Sequence, residues 1–446
     1  MGCPSTEPMK KTAVVIGAGW AGLSCAVELA QKGYQVSVLE QSNRIGGRAS
    51  SFTHSSGNVL DNGQHLFMGC YEYTIQFLTK IGTIHKLYFQ KNLSIDFINK
   101  QGKTASLKCW NLPAPLHLLS GLIFLKTLSG FDKLAFLKII PAIKKQAESL
   151  KKITVEQWLK ECGQSHQSIK NFWEPITLAT LNESCSIAEA DSLATVLKLA
   201  FLGNKKKSQM GIATEGLSDL CGPATEKFLR AKNSTIQTNQ LVTQINIKDK
   251  QVQWISLRDG KNLSADLYVS ALPFFILRKI LETEQMNSPF FERINHLSSS
   301  PIFSITLWFD RPISDQLFTG MLDTRTQWMF NKNKIFIKEK SADYVSLVIS
   351  GAHEYLNTSD NEIIQFCLEE LKACFPKTRF AQLKKSLVLR EKNATLSPKV
   401  GYSQFRLPQK TPISNLLLCG DWTETGLPAT IESAVRSGVL AAQHAK

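Results

Sequence analysis

At 446 residues the chain is longer than one ordinary hydrophobic core requires, so two domains are expected. Hydrophobic residues make up 43% and charged residues 20%, which excludes a collagen-like, disordered or disulfide-scaffold protein. The 52 Lys and Arg against 37 Asp and Glu leave +15. That balance is either solubilising or favours an anionic surface. With no zinc-finger spacing, RNA-binding signature or basic helix interleaved with aromatics, the expected surface is lipid and not nucleic acid.

Ten cysteines at irregular spacings, with no C-x-x-C, read as reduced thiols of a cytoplasmic protein, and eight scattered histidines give no metal set. Lys10 and Lys11 lead straight into a strand, which is no secretory signal. Met1-Gly2, with Cys3 and Thr6, formally fits an N-myristoylation pattern. No apolar run reaches the ~18 residues of a membrane span. A cytoplasmic protein, peripheral on the inner face of the membrane, is the expectation.

Taken in chain order, Thr12 to Ile16 is a short apolar run before a glycine turn, hence a buried strand. Trp20 to Gln31 has helical periodicity and stops at Gly33; Gln35 to Glu40 alternates as a second strand. Residues 112–145 are apolar and basic, with Lys126, Lys133, Lys138, Lys144 and Lys145 against Asp132 alone. They fit a helical segment lying on a bilayer, or a core-packed helix pair with solvated lysines. Helical pattern continues to about Leu202, and Lys205-Lys206-Lys207 reads as an exposed link. Thr235 to Leu272 reads as a β-meander followed by a buried strand from Ala265. Ser304 to Phe309 and Tyr344 to Ser350 are strands of a second sheet, while Leu416 to Cys419 and a helix from about Pro428 to Ala442 return to α/β character. The expected fold is α/β, a Rossmann-like nucleotide domain interleaved with an α+β substrate domain. The first takes 10–90, 208–275 and 395–446, and the second 91–207 and 276–394.

Gly17-Ala18-Gly19-Trp20-Ala21-Gly22 fits G-x-G-x-x-G between a strand and a helix. The first glycine makes the turn, the second lets a pyrophosphate approach the backbone, and the third lets helix and strand pack closely. The helix N-terminus offers free N–H groups to phosphate. Glu40, ending the second strand, stands where an acid binds ribose hydroxyls.

After Glu40 and Gln41 comes Arg44-Ile45-Gly46-Gly47-Arg48, which resembles the extended FAD fingerprint of the amine oxidase and phytoene desaturase superfamily, a fold of the glutathione-reductase type. Cys419-Gly420-Asp421-Trp422 with Thr425-Gly426-Leu427-Pro428-Ala429-Thr430-Ile431-Glu432 resembles its second flavin motif. The resemblance implies FAD. An arginine contacts phosphate, Asp421 the ribityl or pyrophosphate, and the following helix points its N-terminus at the flavin N1/O2 edge. Val242 would contact adenine through its main chain. The implied cofactor set is Gly17, Gly19, Trp20, Ala21, Gly22, Glu40, Gln41, Arg44, Gly46, Gly47, Arg48, Gly63, Gln64, His65, Val242, Gly420, Asp421, Leu427, Pro428, Ala429 and Thr430.

Further segments resemble one branch, the squalene-associated FAD-dependent desaturases or hydroxysqualene dehydroxylases. They are Leu60-Asp61-Asn62-Gly63-Gln64-His65-Leu66, Leu112-Pro113-Ala114-Pro115-Leu116-His117, Phe172-Trp173-Glu174-Pro175 and Thr306-Leu307-Trp308-Phe309-Asp310-Arg311-Pro312. Of these, D-N-G-Q-H and F-W-E-P discriminate; 313–395 add little, and Cys419 stands where alanine is commoner. The branch implies reductive dehydroxylation of hydroxysqualene to squalene, in isoprenoid and hopanoid biosynthesis. An acid must protonate the leaving oxygen; His65 is the first candidate and Asp61 the second. A carotenoid desaturase or flavin amine oxidase would share the fold, although no aromatic cage is recognisable. A prenyl-binding protein like the Rab GDP-dissociation inhibitors is opposed by Glu40, Gly46-Gly47 and Asp421. No second G-x-G-x-x-G names the electron donor.

Overall fold

The structure, a computed structural model, describes residues 10–125, 127–145, 148–336 and 343–446. The myristoylation pattern at Met1-Gly2, Lys126, and the side chains of Lys144 and Lys145 lie outside the described residues.

A strand buried on both faces has few places to go except the middle of a parallel sheet. β1 (Thr12–Ile16) pairs in parallel with β2 (Gln35–Leu39) on one side and with Leu267–Ser270 on the other. Thr235–Gln237 and Leu416–Leu418 close the two edges, giving five parallel strands. α1 (Trp20–Gln31) crosses from β1 to β2. It is buried nearly all round because the C-terminal helix, Ile431–Gln443, covers its outer side. Gly438 permits that contact: a Cβ there would lie 2.1 Å from Ser24 Oγ.

The expected meander is shorter than its sequence pattern. Thr235–Gln237 belongs to the parallel sheet, Thr235 opposite Ser37, and only Val242–Lys248, Gln251–Leu257 and Asn262–Leu263 form the antiparallel meander. The break falls at Asn239, whose φ of 57° turns the chain, and its N–H is held by the Ser42 carbonyl.

The second sheet has seven strands, ordered Leu383–Leu396, Ser299–Phe309, Asp343–Ser350, Trp328–Asn331, Phe318–Leu322, Ser94–Asn99 and Thr104–Lys108. Its period of two splits it cleanly. Phe303, Ile305 and Leu307 pack with Phe366 and Leu371 of helix Asp360–Cys374, while Ile302 and Ser304 face a cavity. Helices from the 116–201 region roof that cavity. The parallel sheet thus draws on residues 12–39, 235–270 and 416–418, the seven-stranded one on 94–108 and 299–396. The 14-residue strand Leu383–Leu396 lay in a stretch whose sequence gave no distinctive motif.

Candidate active site

The nucleotide end of the site is built by backbone. Gly19 is the N-cap of α1 and no side chain caps that helix, so its first N–H groups remain available to an anion. Gly46 (φ 115°) and Gly47 (φ 62°) make a second turn that abuts the first, with Gly19 bridged to Gly46. A Cβ on Gly47 would lie 3.1 Å from the Gly19 Cα. Gly22 does not line the cavity but carries the packing: its Cβ would sit 2.0 Å from the Gly17 carbonyl oxygen.

Glu40 is buried at the end of β2 and borders the cavity. Its two oxygens accept the N–H groups of Ala18 and Ser42, each at 2.9 Å. Each keeps a lone pair for a hydroxyl donor. Gln41 and Arg44 lie at the rim, Arg44 over the Phe52 ring. Arg48 pairs with Asp421 at 2.6 Å and donates to the Ala394 carbonyl, so the first and second motifs meet. Gly420, Leu427, Pro428, Ala429 and Thr430 border the same space, as does buried Val242. The C-terminal helix begins at Ile431, later than the expected Pro428, because Thr430 is extended and its hydroxyl caps Ser433 N–H. Its N-terminus still faces the cavity.

Beyond Gly63, Gln64 and His65 the cavity, about 830 Å³ in all, becomes apolar. Leu118, Leu122, Phe136, Ile139, Phe172, Trp173 and Leu197 line it from the helical roof, and Trp328, Phe330 and Val348 from the sheet. The F-W-E-P segment thus contributes its aromatic pair to the wall, while Glu174 accepts Cys185 N–H.

The two candidate acids are placed differently, His65 on the cavity wall and Asp61 behind it. Asp61 does not line the cavity. Its carboxylate is paired at 2.9 Å with Lys332, both side chains at most 5% exposed, and also accepts Ser51 Oγ–H and Leu217 N–H. A carboxylate held in this way does not protonate a cavity ligand. His65 does line the cavity, but burial lowers its pKa to about 4, with Arg48 and Lys332 adding to the effect of burial and Asp61 opposing it. Its imidazole is therefore neutral at pH 7.

Three residues had no motif to mark them. Lys332 also donates to Gln64 Oε1 at 3.0 Å, so it ties Asp61 to Gln64 within the same segment. Arg406, buried, donates to the carbonyls of Asp421, Trp422 and Leu427 and so shapes the second motif from inside. Ser304 contributes the hydroxyl that faces the cavity beside Gly63. Only their contacts across the fold single them out.

The model of the flavin containing amine oxidoreductases matches residues 20–445, and the chain belongs to that family. It is 26% identical to a 15-cis-phytoene desaturase of Glycine max, over 98% of this chain and 80% of that one. It is equally 26% identical to a 15-cis-phytoene desaturase of Synechococcus elongatus, over 96% of this chain and 94% of that one. An oxidoreductase structure from Methanosarcina mazei superposes with a TM-score of 0.74 at 17% identity, covering 96% of this chain and 98% of that one. The protein is an FAD-dependent oxidoreductase, a Rossmann-like cofactor domain joined to a substrate domain.

Proposed function

We propose that this oxidoreductase acts on a long-chain isoprenoid, and specifically that it removes the hydroxyl of hydroxysqualene to give squalene. The observation that carries the isoprenoid reading is the continuity of the cavity from the glycine cradle into a wall of leucine, isoleucine, phenylalanine and tryptophan. A flexible hydrocarbon gains roughly 25 cal/mol per Å² of apolar surface buried there. FAD, held by the glycine turns, Glu40 and the Arg48–Asp421 pair, would supply the two-electron chemistry, a hydride from its reduced form and one proton together replacing the allylic hydroxyl, which would leave as water. The chain's own part is to hold the phosphates, orient the ligand and exclude water from a developing allylic cation. The resemblance in D-N-G-Q-H and F-W-E-P supports dehydroxylation. A second reading, carotenoid desaturation, is favoured by the desaturases among the relatives. Product analysis decides: purified, flavin-loaded protein is offered hydroxysqualene with a reductant and phytoene with an oxidant. Squalene supports the first reading, a dehydrogenated carotenoid the second, and neither product rejects both.

The same protein is proposed to sit on an anionic membrane face through residues 112–145 and adjoining Trp110. Phe131 (85% exposed), Leu134 (67%), Ile123 (60%), Phe124 and Leu116 turn outward from helices Leu116–Ile123 and Gly130–Lys145. The inner faces of those helices line the cavity. An outward patch of this kind, with Lys133 and Lys138 beside it, matches an interfacial segment. No helix among the described residues is long and apolar enough to cross a membrane.

A further inference from the structure

The reading of the cavity as an isoprenoid site leaves its polar atoms to be explained. Along the cavity face of the seven-stranded sheet, Ser304 stands in register with Val348, which is in turn opposite Trp328. A hydroxyl thus interrupts an otherwise apolar row, and Ser304 is buried. Across from it stands the His65 imidazole. A Cβ built on Gly63 would lie 3.8 Å from His65 Nε2 and 3.9 Å from Ser304 Oγ, so two polar atoms from distant parts of the chain flank one point at van der Waals distance. Glycine keeps that point open. Among the described residues no side-chain hydrogen bond reaches the Ser304 hydroxyl or the His65 ring, and both residues border the cavity. Buried polar groups are rarely left in that condition without a ligand or water to meet them.

We propose that Ser304 Oγ and His65 Nε2 form a two-point notch that binds one hydroxyl group of an otherwise apolar ligand. The inference rests on the isoprenoid reading and adds its specificity: the site prefers a long-chain alcohol over the corresponding hydrocarbon. A hydroxyl is one donor and one acceptor, and so meets both groups at once. A neutral imidazole presents one donor and one acceptor nitrogen, and a serine hydroxyl serves either way. An ammonium group is a poorer guest. The carboxylate that acts electrostatically on His65, Asp61, is already neutralised by Lys332. Ser304 is here a binding residue that fixes where the carbon bearing the oxygen comes to rest; His65 shares that task in its neutral form.

The test is equilibrium binding to the oxidised, flavin-loaded protein in detergent micelles, read by perturbation of the flavin spectrum. The probes are hydroxysqualene and squalene, and the proteins are wild type, Ser304→Ala and His65→Phe. The wild type should bind the alcohol more tightly than the hydrocarbon. Each variant should lose about tenfold in affinity for the alcohol, the share of one neutral hydrogen bond, with squalene binding unchanged. Should Ser304→Ala fail to hold flavin, Ser304→Cys keeps the volume, weakens the hydrogen bond and should show the same selectivity loss at a smaller ratio. Equal losses for both probes, or no loss for the alcohol, overturn the notch while leaving the isoprenoid reading intact. If the wild type binds neither probe, the isoprenoid reading fails and the notch falls with it.

Discussion

Gly19 and Gly22 occupy the same motif, three residues apart, yet the structure gives them opposite tasks. That contrast can be measured. At Gly22 an added methyl would meet the Gly17 carbonyl oxygen at 2.0 Å and the Ala271 Cβ at 3.1 Å. No flexible side-chain end is there to yield, so Gly22→Ala must push α1 off the sheet. The cost is that of overpacking, ~1–3 kcal/mol or more, a large part of a typical domain's stability. At Gly19 the backbone is ordinary (φ −74°), and the nearest atom to an added methyl is the Gly47 Cα at 3.9 Å. Gly19→Ala should therefore leave the flavin-free protein within about 1 kcal/mol of wild type, the difference between Gly and Ala at an N-cap. The space it fills is the space a pyrophosphate needs. Losing one charge-assisted hydrogen bond there, ~1.5–3 kcal/mol, should weaken FAD binding by roughly 10- to 150-fold. Thermal unfolding of the deflavinated proteins and titration with FAD separate the two effects. If Gly19→Ala retains FAD with wild-type affinity, the pyrophosphate does not pass this turn.

Other perturbations have equally specific outcomes. Burial raises the carboxyl of Glu189 to about 7, and its Oε1 has no partner among the described residues. Its stabilising contribution is complete below the unfolded carboxylate value and is lost as pH rises through about 7. Glu189→Gln should thus gain Tm relative to wild type at pH 8 and not at pH 5; an equal effect at both refutes the buried acid. His65 acts in the opposite direction: lowered to about 4, it takes stability away as pH falls from 6.5 towards 4, so His65→Gln should flatten the acid limb of the Tm–pH curve. Lys332→Met strands the buried Asp61 carboxylate and should destabilise by ~3–5 kcal/mol; adding Asp61→Asn should recover much of the loss, and strictly additive losses would show no coupling. Phe131→Asp with Leu134→Asp should abolish flotation with anionic vesicles while leaving flavin content unchanged. Unaltered flotation would place the docking surface elsewhere.

The nucleotide domain was legible because its requirements are backbone requirements. Turns that must pass a phosphate demand glycine at fixed spacing, and Gly17 to Gly22 and Gly46-Gly47 declare themselves. The strand Thr235–Gln237 was misassigned because a three-residue edge strand has too few residues to show a period. The strand Leu383–Leu396 was obscured because most of its residues are partly or wholly exposed, so its apolar alternation is weak. At the catalytic end, Asp61 looked like a free acid only while its partner was 271 residues away along the chain. Burial of an ion pair cannot be seen from one of its halves. Arg406, Lys332 and Ser304 share that difficulty: each acts through residues distant in sequence, and none sits in a motif.

The most direct test of the central claim is a single anaerobic turnover. Protein loaded with FAD and chemically reduced is mixed with hydroxysqualene, and flavin reoxidation is followed by absorbance while squalene is extracted and quantified. The account requires that the flavin reoxidise in step with squalene, one product per flavin, because two electrons leave the one to make the other. Reoxidation without squalene, or a flavin that stays reduced while the alcohol is recovered unchanged, would contradict it.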